Sequence, residues 1–308
     1  MIEAPTVFIL GAGAHCSYGF PSGEQLKRQA AALVRESLRA TDERSFLLMV
    51  NLAAARIEEV QPDRCEAFAE ALSHAGQASI DAFLEANRHQ LGFQSIGKGA
   101  IAQALLKYEQ IDIPQSDDDW LDYLFKVMLD GIKSPQELIE KNRLGFITFN
   151  YDRLLERWLL RRIKYSFGLD DKDAYAVLQA IPIHHVYGTL GAFPYPAPIN
   201  PRFWIQASKG IRTIFDTEKD EETLNAAEAL LASAHSICLL GFGFHRENID
   251  LLGLVDYTRT CKGLVASSRF EILDVEWRRL TKPFKDIQIH HAHYDHKCLA
   301  AFRHLPIF

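Results

Sequence analysis

Short apolar runs that close on glycine or a polar turn recur along this chain, and a helical period follows most of them. That alternation admits few folds. Val7 to Leu10 runs into Gly11-Ala12-Gly13, and Leu144 to Thr148 runs into Phe149-Asn150. "IPIHHVYGTLG" reaches Gly188, "HSICLLGFGF" reaches Gly241 and Gly243, and "KGLVAS" and "DIQIHHAHY" supply two more runs of strand character. Strands that alternate with helices require a mostly parallel sheet with right-handed crossovers, an α/β architecture. One stretch departs from the alternation. From about residue 31 to 140 the segments "RSFLLMVNLAAARIEEV", "RCEAFAEALSHA", "SIDAFLEANRHQL", "GKGAIAQALLKYEQ" and "DDDWLDYLFKVMLDGI" place apolar residues at three- and four-residue intervals, without a strand. Ser22 with Gln25 forms a capping box for the helix that begins "GEQLKRQ", and Ser116 and Asp117–Asp119 suit the positive end of the helix holding Trp120. The expected organisation is a single domain over 1–308 with a helical insertion, 31–140, after the first strand.

Composition removes several classes of function. The 34 basic and 40 acidic residues leave a charge of −6, which argues against a nucleic-acid binder that works by bulk charge. No apolar run is long enough for a membrane span, and the first strand is too short for a signal h-region. Five cysteines, at 16, 65, 238, 261 and 298, include no Cys-x-x-Cys pair. That pattern favours neither a disulfide framework nor a zinc ribbon, and points to a reduced, cytoplasmic protein. In "IHHAHYDH" His291 and His293 would share a strand face, but no second ligand cluster accompanies them, so no metal is expected.

Ligands of open α/β sheets bind beyond the carboxyl ends of the strands. There the first strand delivers Gly11, Gly13 and Gly19, and the second Thr148, Asn150 and Asp152. The third delivers His184, His185 and Tyr187, and the fourth Gly241, Gly243, His245 and Asn248. Glycine turns, amides, imidazoles and a carboxylate suit a nucleotide with a polar reacting centre. Structural roles compete with this. Asn150 and Asp152 also suit the start of the following helix, and the late glycines also suit helix–strand packing. Cys16 interrupts Gly-x-Gly-x-x-Gly, so the first turn is either a phosphate cradle or a sharp turn.

"GAGAHCSYGFPSG" resembles the opening of the sirtuins, "TFNYD" their Thr-Gln-Asn-Ile-Asp stretch, and "HHVYGTLG" their His-Gly strand. "LLGFGFHRENIDLL" and "SIDAFLE" are similar to segments of the bacterial sirtuin-like NAD hydrolases of antiphage defence. The resemblance implies a Rossmann-like sheet and NAD⁺ as substrate, with no separate cofactor. It implies cleavage of the nicotinamide–ribose bond, depleting NAD⁺ during infection. It implies that Asn150 holds the ribose hydroxyls or the attacking water, and that Asp152 helps bind the nicotinamide carboxamide. It also places Gly11, Ala12, Gly13, Gly19, Pro21, Thr148, Tyr187, Gly241, Gly243 and Asn248 around the dinucleotide. The chain departs from the sirtuins in lacking their zinc cysteines, in having Ser22 and Gly23 after Pro21, and in carrying Tyr187 where they have His. His185, on the same strand face as Tyr187, is the expected substitute base. The alternatives are a non-catalytic nucleotide-binding scaffold or sensor, and a protein deacylase or ADP-ribosyltransferase. A homo-oligomer is expected, and resembling proteins often work beside a HerA-type ATPase or an Argonaute-like protein. Neither direct nucleic-acid contact nor membrane insertion is expected.

Overall fold

The computed structural model describes residues 1–39, 61–110, 112–114, 116–193, 201–213, 216, 221–291 and 295–304. The run "RSFLLMVNLAAARIEEV", His293 and residues 217–220 of the acidic run lie outside the described residues. Six strands form one parallel sheet with β1 (Thr6–Leu10) near its centre. On one side of β1 lie β2 (Leu144–Thr148) and β3 (Ile183–His185), and on the other β4 (Ser236–Leu240), β5 (Val265–Ser267) and β7 (His290–His291). The remaining strands, β6 (Arg269–Phe270) and β8 (Asp295–His296), make a separate antiparallel ribbon. Every residue of β1, β2 and β4 is buried. Continuous apolar runs, rather than alternation, are what a parallel sheet covered on both faces requires. Phe8 stacks on Phe146 across the β1–β2 pair at 5.4 Å and meets Phe302 at 5.8 Å.

Between β1 and β2 the described chain is helical: α1 (Gly23–Arg39), α2 (Pro62–His74), α3 (Ile80–Ala86), α4 (Phe93–Glu109), α5 (Trp120–Leu129) and α6 (Pro135–Lys141). The capping box forms as its sequence demands, with the Ser22 N–H donating to Gln25 Oε1 at 2.8 Å and the Gln25 N–H to Ser22 Oγ at 3.3 Å. Asp119, Ser79 and Ser134 cap α5, α3 and α6 in the same manner. Lys27, buried in α1, donates to the carbonyls of Ala75 and Gln77 and so ties α1 to the chain between α2 and α3. The block is anchored to the first glycine turn by side-chain bonds, and the Leu121 N–H donates to the Tyr18 hydroxyl at 3.0 Å. Trp120 Nε1 donates to Ala14 O at 2.8 Å, and the Tyr18 hydroxyl donates to Asp119 Oδ1 at 2.8 Å.

After β2 come α7 (Leu154–Phe167) and α8 (Asp171–Gln179), then β3 and α9 (Pro201–Gly210). The helix α10 (Glu221–Ser233) leads into β4. The helical stretch beyond β4 is broken at Gly253 into α11 (Arg246–Leu251) and α12 (Leu254–Thr260), and α13 (Asp274–Leu280) and α14 (Cys298–His304) are the last helices among the described residues. Among the described residues no helix is long and apolar enough to cross a membrane.

Candidate active site

The carboxyl ends of β1, β2 and β4 open into a cleft of about 700 Å³, within the ~300–1,000 Å³ common to small-molecule sites. Of the residues singled out in the sequence, it is lined by Gly11, Ala12, Gly13, Gly19, Asn150, Tyr187, Gly241, Gly243, His245 and Asn248. Asp81 and Ala82 of α3, Phe149, Phe242, Glu247 and Lys297 also line it. Thr148, Asp152, His185 and Pro21 do not.

The first glycine turn is built differently from a simple phosphate cradle. After β1 the chain enters a 3₁₀ turn, Ala12–Tyr18, that packs backbone to backbone on the turn after β4. The Gly11 N–H donates to Leu240 O at 3.0 Å and the Gly13 N–H to Gly241 O at 3.1 Å. Those amides are therefore committed to the end of β4 and the turn beyond it, and glycine at 11 and 13 answers a steric need. A Cβ on Gly11 would stand 2.5 Å from Gly241 O, and one on Gly13 2.9 Å from Gly241 Cα. Gly241 is the tightest point, with φ +56° and a notional Cβ 1.8 Å from Ala14 N. Gly241→Ala is expected to destabilise the fold by about 2 kcal/mol or more, from left-handed strain and displacement of the turn. Urea denaturation checks this, and Gly168→Ala, whose notional Cβ meets nothing within 4 Å at a φ of +64°, isolates the strain from the clash.

Asn150 sits on the cleft floor directly beyond β2, 5% exposed. Its backbone N–H donates to Thr148 Oγ1 at 3.0 Å, so Thr148 shapes this turn from outside the lining. Its Nδ2 donates to Gly11 O at 3.3 Å and lies 3.1 Å from His15 Nδ1. His15 is itself buried and paired through Nδ1 with Asp152 Oδ1 at 2.8 Å. Asp152 also accepts from the Leu154 N–H at 3.1 Å and so starts α7. Burial works against ionising Asp152, yet His15 and the Leu154 N–H hold its carboxyl below the ordinary range. Asp152 thus serves the helix and His15, not the cleft. His15 carries no signal of its own in the sequence. It meets Asp152 because the turns beyond adjacent strands β1 and β2 stand side by side.

His185 is likewise withdrawn from the role that the sequence assigns it. Its Nδ1 is 2.8 Å from Asn150 O and its Nε2 2.6 Å from Glu156 Oε1. Burial alone would discharge the ring, but Glu156 and the Asn150 carbonyl override it and raise the pKa above 6.5. An imidazole with both nitrogens engaged is a brace under the Asn150 turn, not a free base. Because the folded pKa lies above the unfolded one, the stabilisation is full below pH 6.5 and is lost as pH rises through the folded value. Melting temperature should accordingly fall on the alkaline side of that range, and the fall should be flatter in Glu156→Gln.

Tyr187 does face the cleft, with its hydroxyl donating to Asn248 Oδ1 and its ring set against Phe149 at 5.5 Å and Tyr151 at 6.3 Å. The Tyr151 hydroxyl donates to Asp81 Oδ1. Burial, followed by the nearby carboxylates, raises the Tyr187 pKa and keeps the phenol protonated. Burial also raises the Asp81 carboxyl, an effect that the Tyr151 hydrogen bond opposes. Cys16 lies on the cleft wall as a thiol, pushed up to about 11 by burial and by Asp152. In the histidine-rich run, His291 packs its ring on Trp277 at 4.7 Å.

Neither a family model nor a curated protein sequence matches this chain. The cleft's own geometry is what bears on function.

Proposed function

We propose that the cleft binds NAD⁺ and hydrolyses its nicotinamide–ribose bond. The observation that carries this is Asn150, a buried amide fixed between the Gly11 carbonyl and the His15–Asp152 pair at the carboxyl end of β2, on the floor of a dinucleotide-sized cleft. In the reaction the C1′–N bond breaks, its electron pair leaves with neutral nicotinamide, and a water oxygen bonds to C1′. ADP-ribose and a proton complete the balance. The ribosyl centre is cationic at the transition state, so positioning and electrostatics matter more than a strong nucleophile. The Asn150 amide is suited to orient the ribose hydroxyls or the water. Tyr187, protonated and tethered to Asn248, is suited to hold the neighbouring wall. The helical block over the carboxyl edge, with α3 contributing Asp81 and Ala82, limits access of bulk water. Depletion of NAD⁺ in antiphage defence, in a homo-oligomer or beside an ATPase or Argonaute-like partner, belongs to the same proposal.

One observation favours a second reading, a nucleotide-binding subunit without turnover: the imidazole expected as base is sequestered by Glu156. Incubating the protein with NAD⁺ and separating the products by chromatography decides between them. Nicotinamide released in step with NAD⁺ loss supports the hydrolase. Saturable NAD⁺ binding without release supports the subunit.

A further inference from the structure

We propose that Asp81 makes the cleft selective for dinucleotides carrying a positively charged ring, so that oxidised nicotinamide dinucleotide is held and the neutral reduced form is held poorly. The inference rests on the reading that the cleft takes such a dinucleotide. Three observations support it. First, Asp152 cannot face a ring in the cleft, because His15 and the start of α7 occupy its Oδ1 and it does not line the cavity. Second, Asp81 on the first turn of α3 does line it, and the Tyr151 hydroxyl fixes its carboxyl beside the residue that follows Asn150. Tyr187, whose ring lies 6.3 Å from Tyr151, extends the same wall. Third, the lining differs in charge from place to place. Lys297 acts electrostatically on Cys16 and Asp118 beside the first turn, whereas Asp81 acts on Tyr151 and Tyr187. In a dinucleotide with an anionic pyrophosphate and a cationic ring, Lys297 would partner the first and Asp81 the second.

The magnitude follows from placement. A carboxylate shielded from bulk water interacts with a nearby cation more strongly than one at an open surface. The dihydropyridine of NADH has no charge to offer and leaves the carboxyl without that partner.

The experiment titrates the wild-type protein by calorimetry with carba-NAD⁺, which keeps the cationic ring and resists cleavage, and with NADH. Wild type is expected to bind carba-NAD⁺ about tenfold more tightly, the scale of one pKa unit of charge–charge interaction. Asp81→Asn keeps the acceptor for Tyr151 and should bring the two affinities to within about threefold, with NADH binding unchanged. Asp81→Glu should retain the preference, and with the wild-type ratio it keeps the test decisive if the Asn variant does not fold. Equal binding of both probes by wild type, or an undiminished preference in a folded Asn variant, overturns the inference. Binding of neither probe overturns the dinucleotide reading on which it stands.

Discussion

Asn150→Ala is expected to lower NAD⁺ turnover by a factor on the order of 10²–10³, the usual effect of removing one preorganised polar group from a reacting centre. The fold should survive. The side chain is 5% exposed and gives up its bond to Gly11 O, at 3.3 Å a long one. A loss of about 1 kcal/mol in stability is therefore the expected scale. The turn itself is held by backbone groups, since the Asn150 N–H bonds to Thr148 and its carbonyl accepts from His185. Steady-state kinetics on protein of verified melting behaviour separates the effects. A fall confined to kcat places Asn150 at the transition state, whereas a rise confined to KM places it in ground-state binding. Turnover equal to wild type in a folded variant removes Asn150 from the chemistry.

The largest effect on stability is expected at Arg153 and Glu109. Arg153 is 1% exposed, and its Nη2 lies 2.6 Å from Glu109 Oε2, whose side chain is 0% exposed. Glu109 Oε1 also accepts from the Arg153 backbone N–H at 2.7 Å. Arg153 Nη1 donates to the carbonyls of Gly191 and Ala192, at 3.0 and 2.6 Å. One guanidinium thus joins the end of α4, the start of α7 and the loop after β3. Arg153→Met takes the guanidinium from the buried Glu109 carboxylate and leaves it the backbone-type contacts it already has, which should cost about 3–5 kcal/mol. Adding Glu109→Leu removes the stranded charge and should recover much of that loss, because the pair must overcome its own desolvation. Urea denaturation of both single variants and the double variant gives the coupling. Additive losses would show that the two residues act independently.

The sheet was legible because a buried parallel strand writes itself as an uninterrupted apolar run. β1, β2 and β4 do so, and the turns beyond them announced the cleft. Caps were equally legible, since Ser22–Gln25 and Asp119 act within three residues of themselves. Legibility ended where side chains meet across strands. Nothing local to His15 distinguishes it from a core histidine, and nothing local to His185 reveals Glu156 on α7 beneath it. Period two placed His185 and Tyr187 on one strand face. Only the following turn shows that Tyr187 enters the cleft while His185 stays beneath the Asn150 loop. Gly11 and Gly13 suit a phosphate cradle or a sharp turn by sequence alone, and what decides is the Gly241 turn beyond β4, a strand adjacent in space but far along the chain. Asp81 belonged to a helix recognised by its period, and its place on the cleft wall depends on how α3 packs.

The central claim is cleavage of NAD⁺ by water in this cleft. It is tested most directly by incubating wild-type protein with NAD⁺ in ¹⁸O-labelled water and analysing the products by mass spectrometry. The account predicts equimolar nicotinamide and ADP-ribose, with one ¹⁸O atom at the ribose carbon that held the ring. Intact NAD⁺ after prolonged incubation, or ribosyl products without the label, would contradict it.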